Sequence, residues 1–580
     1  MRASRTVPVP VFIAIFVAAL AGGNRTSTTN DTEKHVKATV ALADDVVAGI
    51  KRRIPEVGTY FGLPDANHAG ITNNSLEARA EREREEDTWN ERLKQIDGEV
   101  LGGHPEWVLY GFLREQLEIS IAGRVCQNEL WAVDQMGGWQ STYGTIAQLQ
   151  PIDTEALQQA ALTRFGALPG YVEREITNLR EGLRKGYAVP RENVLRVIEQ
   201  MAAFADPKSP YFSPAERTKS TAFATAWREL MSAKVVPAFR TYEAFLRGEY
   251  LPKARATVAV SDLPNGAACY QARLRSMTSL PLTAEEVHRM GLQELEGIHA
   301  AEREIAQRMF GDPDLDKAFA KLQAPEHQWS DRDAIIAHAR AAAERAQQAL
   351  PRLVGRAPTT GVIITPIPAA EEATAADRYQ LGTVDGKRPG NYQINLGRWL
   401  GDRKGDLEAV VFHETIPGHH MQNMISLERP QAHLLTKLAG TTAFNEGWGL
   451  YAEKMADEIG LYSADVDRLG MWQSRAFRAA RLVVDTGLHA FGWPREKAIA
   501  FMTAQHLGNE QKIVPEVDRY IIMPGQATAY MVGALEIERL RAETQQRLGS
   551  GFDLRRFHDV VLEDGSVTLP MLRDKVRRMQ

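Results

Sequence analysis

Eight consecutive residues, His413-Glu414-Thr415-Ile416-Pro417-Gly418-His419-His420, set three imidazoles and a carboxylate behind an apolar run. Imidazole nitrogens bind transition-metal ions, and a neighbouring carboxylate can take a proton from water that such an ion has acidified. Asp406 stands where an N-cap is needed, Glu408 falls in the first turn, and Leu407, Val410 and Val411 supply a buried face. His413 and Glu414 are therefore predicted on a helix. The usual metallohydrolase spacing puts the second histidine at i+4, which here is Pro417. In an unbroken helix His419 would point roughly 120° away from His413, and His420 would share its direction about 10.5 Å further along the axis. Pro417 cannot donate to the His413 carbonyl, and Gly418 accepts backbone angles that other residues avoid. A bulge that loops out two residues there brings His419, in preference to His420, into the ligand role. With 14 histidines in 580 residues, a lone His-Glu pair is also what composition supplies by chance.

A second stretch, Thr441 to Tyr462, offers the third ligand. Phe444, Trp448, Tyr451, Met455 and Ile459 recur at helical spacing and predict a packed stripe. Gly447 and Gly449 flank Trp448 and thin the helix surface beside Glu446, where a neighbouring helix can approach. A carboxylate ligand on a second helix leaves the fourth tetrahedral position open, as a catalytic zinc site requires. His413, His419 and Glu446 are the predicted ligands, with one zinc ion per chain as cofactor and Glu414 as general base. The same donors also accept manganese, cobalt and iron.

The segments H-E-T-I-P-G-H-H and N-E-G-W-G-L-Y-A-E, with R-P-G-N-Y-Q-I-N-L from Arg388, R-L-V-V-D-T-G-L-H from Arg481 and M-P-G-Q-A-T-A-Y-M-V-G from Met523, resemble the bacterial domain-of-unknown-function 885 family. That family is similar to the helical zinc peptidases of the angiotensin-converting enzyme and oligopeptidase groups, in which a Glu follows the two His ligands on the next helix. The resemblance implies a mainly α, multi-helix peptidase-like fold with a central cleft. It also implies peptide hydrolysis, including release of C-terminal dipeptides, and a Tyr late in the chain near the site. Members often have Tyr where His420 stands, in keeping with His419 as ligand.

Further candidates lie downstream. Tyr530 is the expected donor to a developing oxyanion, with Tyr520 as competitor. Arg481, Asp485 and His489 share one helix face, which is usually an ion-paired structural row, and His489 is a second candidate for steadying the oxyanion. Two short strands are predicted, Gly361 to Pro366 and Asn391 to Leu396. The second, if it lies at a sheet edge before the metal helix, would let an extended peptide add itself through Asn391 and Tyr392. The alternatives to a peptidase are a metal-dependent amidase of a non-peptide substrate and a non-catalytic exported binding protein.

The remaining sequence frames these residues. A hydrophobic fraction of 44% with 25% charged residues is ordinary for a globular chain, and a net charge of −5 shows no basic excess, so it offers no argument for nucleic acid or anionic membrane as partner, and neither is expected. Residues 1–21 combine Arg2 and Arg5, an apolar run and Ala19-Leu20-Ala21, the pattern of a cleaved secretory leader without a stable membrane anchor. The expected location is therefore periplasmic or secreted. Residues 22–34 are expected to be flexible, 35–355 to form a helical part, and 356–580 to form the metal-site part of one continuous fold. Whether Cys126 and Cys269 pair is open, with free thiols the expectation. Helices are predicted over His35 to Ile54, Ser75 to Glu99, Trp107 to Leu117, Ile119 to Trp131, Thr154 to Lys185, Arg191 to Phe204 and Pro214 to Tyr250. Met136 to Tyr143 reads as a loop. Thr283 and Glu286 form a capping box for a helix running towards Met309, and Ser330 caps another that stops before Pro351. Oligomeric state does not follow from the sequence.

Overall fold

The computed structural model of the chain describes residues 29–367, 372, 377–382, 388–429, 432–438 and 440–579. The predicted leader, 1–21, lies outside them. Helices dominate, and one three-stranded sheet immediately precedes the helices that carry His413, His419 and Glu446. The fold is mainly α, as expected. Among the described residues no helix is long and apolar enough to cross a membrane.

The helix Asp465–His489 is the spine. From Ala479 to His489 every residue is buried, so this segment is packed on all sides, and its polar side chains Arg481, Asp485, Thr486 and His489 are hydrogen-bonded within the protein. It packs along Ala284–Phe310, whose Thr283/Glu286 capping box is fully formed. Nearby, Thr442–Glu458 and Ala529–Leu548 run in close contact because Gly447 meets Gly533. A Cβ on Gly447 would lie 2.5 Å from the Gly533 backbone, so the two helix axes approach only with glycine at the crossing.

The largest core draws on residues from Val108 to Met579, so both sides of the 355/356 boundary contribute to one interior. A second core, from Cys126 to Ala284, is rich in aromatic side chains. Within it Cys126 and Cys269 are joined by a disulfide, contrary to the expected free thiols. Their sequence separation of 143 residues hid a pairing that only the packed fold creates.

Several local expectations change. The first helix, Thr29–Arg53, begins inside the stretch expected to be flexible. Trp139–Leu149 is helical, leaving only the start of the expected loop at Met136. The predicted helix at Ile119 to Trp131 ends at Gly123 and continues as two single turns. Asp331, not Ser330, caps Arg332–Leu353, and Pro351 sits inside its last turn. The sheet order is β1 (Val362–Pro366), β3 (Gly390–Ile394), β2 (Arg378–Gln380), with β3 parallel to β1 and antiparallel to β2. The strand carrying Asn391 and Tyr392 is thus central, and both its edges are taken.

Candidate metal centre

Two helices meet at a helix break to bring the histidines together. Leu407–Glu414 buries Leu407, Val411 and Phe412 and stops at Glu414; His419–Leu427 starts at His419. Between them Thr415 adopts φ −109°, ψ −113°, and the Ile416–Pro417 peptide is cis. The expected two-residue bulge is therefore a full break. Trp448 Nε1 donates to the Pro417 carbonyl at 2.9 Å, which fastens the break to the helix that carries Glu446.

His413 Nε2 and His419 Nε2 each lie 3.6 Å from Glu446 Oε2, and the three candidate ligand atoms are all within 4.8 Å of one another. A four-coordinate zinc with bonds of ~2.0–2.2 Å separates its ligand atoms by about 3.4 Å. The donor set thus fits such an ion with little adjustment. Gly449 permits the approach, since a Cβ there would lie 2.5 Å from the His413 ring. On the far side of that ring Nδ1–H donates to Glu453 Oε1 at 2.7 Å, which leaves Nε2 unprotonated towards the cleft in the neutral form. Glu453 was not anticipated, although it stands seven residues after Glu446, two turns on and on the same face.

The electrostatics match a cation site. Burial alone would lower the His413 pKa, but hydrogen bonds to Glu446 and Glu453 prevail and raise it to about 10. Burial would raise the Glu446 carboxyl, yet its two imidazole partners hold it well below the ordinary carboxylate range. In the metal-free chain a proton occupies the place that an ion would take.

An open cleft of about 520 Å³ adjoins the ligands, and Glu414, half-buried, lines it together with Tyr530 and Asn445. The Arg481 guanidinium lies 4.5 Å over the Tyr530 ring, and Arg519 Nη2 donates to the Tyr530 hydroxyl at 3.4 Å. β2 contributes Arg378 and Tyr379 to the same cleft.

Other expected residues are placed elsewhere. His420 is fully buried, donating from Nε2 to the Thr360 carbonyl (2.9 Å) and accepting from Tyr379 at Nδ1 (2.7 Å), so both nitrogens serve packing. His489 is likewise enclosed: Nε2–H donates to the Tyr520 carbonyl at 2.9 Å and Nδ1 accepts from the Val260 amide at 3.2 Å. It does not line the cleft. Burial pushes its pKa down to about 4, so it stays neutral in this wall. Tyr520 is buried, accepting from Arg481 Nε (2.9 Å) and donating to Glu516 (3.0 Å). Tyr392 donates to Asp377 at 2.9 Å inside the sheet layer, and the Asn391 side chain accepts from Thr365 at 3.0 Å, and neither residue lines the cleft. Asp406 makes no capping hydrogen bond and pairs instead with Arg403 at 2.9 Å. Glu408 does lie in the first turn of its helix, where it is buried and held by Arg345, His338 and Ser463. Together with Asp467, Glu408 and His338 form a second cluster of potential ligands. The Arg345 guanidinium on Glu408 makes that cluster a structural ion pair.

The family profile for bacterial proteins of unknown function DUF885 matches residues 55–576. The chain belongs to that family. None of the curated proteins compared matches this chain. Among solved structures, a provisional lipoprotein from Colwellia psychrerythraea is similar, at 24% identity and a TM-score of 0.84, covering 94% of this chain and 98% of its own. A provisional lipoprotein of unknown function from Shewanella oneidensis is similar at 18% identity and a TM-score of 0.76, covering 93% and 98%. These likenesses establish the shared fold of this DUF885 chain.

Proposed function

We propose that the protein is an exported zinc-dependent metallopeptidase that hydrolyses short peptides. The observation that carries this reading is the convergence of His413, His419 and Glu446 beside the carboxylate of Glu414 and the phenol of Tyr530. Two histidines followed by a glutamate on the next long helix is also the ligand order of the helical zinc peptidases that the sequence resembles. When bound by these three residues, a zinc-type ion supplies Lewis acidity and an acidified water.

The chain's own groups do the rest. Glu414 takes a proton from the attacking water and returns it to the leaving amine. Tyr530 donates to the oxygen on which negative charge develops; Arg481 over its ring and Arg519 at its hydroxyl favour that polarity. Glu453 fixes the tautomer of His413. Export is supported by the leader pattern, the Cys126–Cys269 disulfide and the lipoprotein description of both structural neighbours.

A mixed-peptide digest by the zinc-loaded protein, read by mass spectrometry, tests the reading. Cleavage at defined bonds is expected in the wild type and loss of ~100-fold or more of the rate in Glu414→Gln, with zinc retained. An amidase of a non-peptide molecule would leave every peptide intact. A binding protein would keep its ligand affinity in Glu414→Gln and turn over nothing.

A further inference from the structure

We infer that a second cavity, apart from the metal cleft, is a binding site for a small organic ammonium ion with an apolar body, its charge met by Glu175. The cavity measures about 470 Å³, a size usual for small-molecule sites, and shares no lining residue with the cleft. Trp131, Trp139, Tyr171, Val133, Val260 and Ile521 give it largely apolar walls. Ile521 comes two residues after Arg519, so the end of the helix Glu510–Ile522 lines both the cavity and the cleft.

Glu175 stands out first in the sequence. In the helix Leu168–Arg184 the buried residues Leu168, Val172, Ile176 and Leu179 follow the spacing of a core-facing stripe, and Glu175 is set among them. A carboxyl in such a stripe is a local conflict of the kind found at functional positions. It is 5% exposed. Asn74 Nδ2 donates to Glu175 Oε2 at 3.0 Å, and Arg174 Nε orients that amide by donating to Asn74 Oδ1 at 2.9 Å. Among the described residues Oε1 accepts no hydrogen bond and Glu175 makes no ion pair. Burial pushes its pKa up to about 7 against the Asn74 hydrogen bond, and Glu129 adds a charge of the same sign.

The four arginines of the cavity are engaged by other groups. Glu129 pairs with Arg79 at 3.0 Å and with Arg82 at 2.7 Å. Arg255 Nε donates to the Ala188 carbonyl at 2.6 Å and feels the charge of Asp262, while Asp134 acts on Arg273. Glu175 is therefore the acid left without a counter-charge, and a buried carboxylate is strongly unfavourable in that state. A ligand cation supplies what is missing. Tyr171 precedes Glu175 by one turn on the same helix face, and its ring centroid lies 6.2 Å from that of Trp139. Aromatic rings beside a carboxylate suit an ammonium ion, which ring faces also attract, and the apolar walls take the rest of the molecule.

Calorimetric titration of the full-length protein at pH 8 tests this with three probes that share a phenyl body: phenethylammonium, neutral phenethyl alcohol and anionic hydrocinnamate. The ammonium ion is expected to bind at least ~10-fold more tightly than the alcohol. Glu175→Gln keeps an acceptor for Asn74 and should abolish that advantage while the alcohol binds as before, which shows the cavity intact. Asp134→Asn should preserve the advantage, because Asp134 acts on Arg273. Equal affinity of ammonium and alcohol in the wild type overturns the proposal, as does binding of neither. An advantage that survives Glu175→Gln, or that disappears in Asp134→Asn instead, overturns the assignment to Glu175. Equal loss of both probes in Glu175→Gln makes that residue a structural one and has the same force. Tightest binding of hydrocinnamate would seat an anion at Arg273, whose Nε is buried without a partner, and likewise overturns the proposal.

Discussion

Glu453 sets which nitrogen of His413 faces the cleft, and its removal separates orientation from ligation. Glu453→Gln is expected to weaken zinc binding ~10–100-fold while keeping the fold, measured by competition with a chromogenic chelator. The raised pKa of His413, about 10, means that in the metal-free chain this imidazole still carries its proton at neutral pH. Zinc uptake at pH 7.5 should therefore release roughly one proton, and affinity should fall as the pH is lowered. Calorimetry in two buffers of different ionisation enthalpy reads the proton directly. Tyr530→Phe should lower kcat ~10–1000-fold with little change in KM. At this scale the choice of His419 over His420 was legible, because Pro417-Gly418 forbids a continuous helix. The enclosure of His489 and Tyr392 was not, because their partners Val260, Tyr520 and Asp377 lie far off in sequence and meet them only on folding.

Among elements, the spine helix buries a carboxyl at Asp485. This buried carboxyl accepts from Tyr270 (2.6 Å) and from the Gly525 amide (3.0 Å), and burial pushes its pKa up to about 7. The folded state thus holds a proton that the unfolded state has lost. Its contribution to stability is full below the unfolded value near pH 4 and is lost as pH rises towards 7. Asp485→Asn is expected to flatten that decline and to raise stability at pH 8 by ~1 kcal/mol or more relative to wild type, measured by urea unfolding across pH. Helices were readable because their apolar spacing and caps are local, as the complete Thr283/Glu286 box shows. The sheet was half readable: β1 and β3 have β-branched or alternating patterns, but β2 is three residues long and its pairing covers the edge that β3 was expected to expose.

Over the whole molecule, the disulfide closes a loop of 143 residues across the second core. Cys126→Ser with Cys269→Ser should lower stability by ~2–5 kcal/mol, read as a drop in the denaturation midpoint. The mainly α architecture followed from a long series of helical segments with little strand pattern. The joining of residues from Val108 to Met579 in one core could not, since it depends on how the helices stack.

The account stands on one shared ion held by His413, His419 and Glu446. Metal analysis of the purified protein after zinc loading and desalting addresses it directly, with His413→Ala and Glu446→Ala treated in parallel. The expected result is one tightly held zinc per wild-type chain and none in either variant. A wild-type chain that retains no zinc, or variants that retain it equally, would contradict the account.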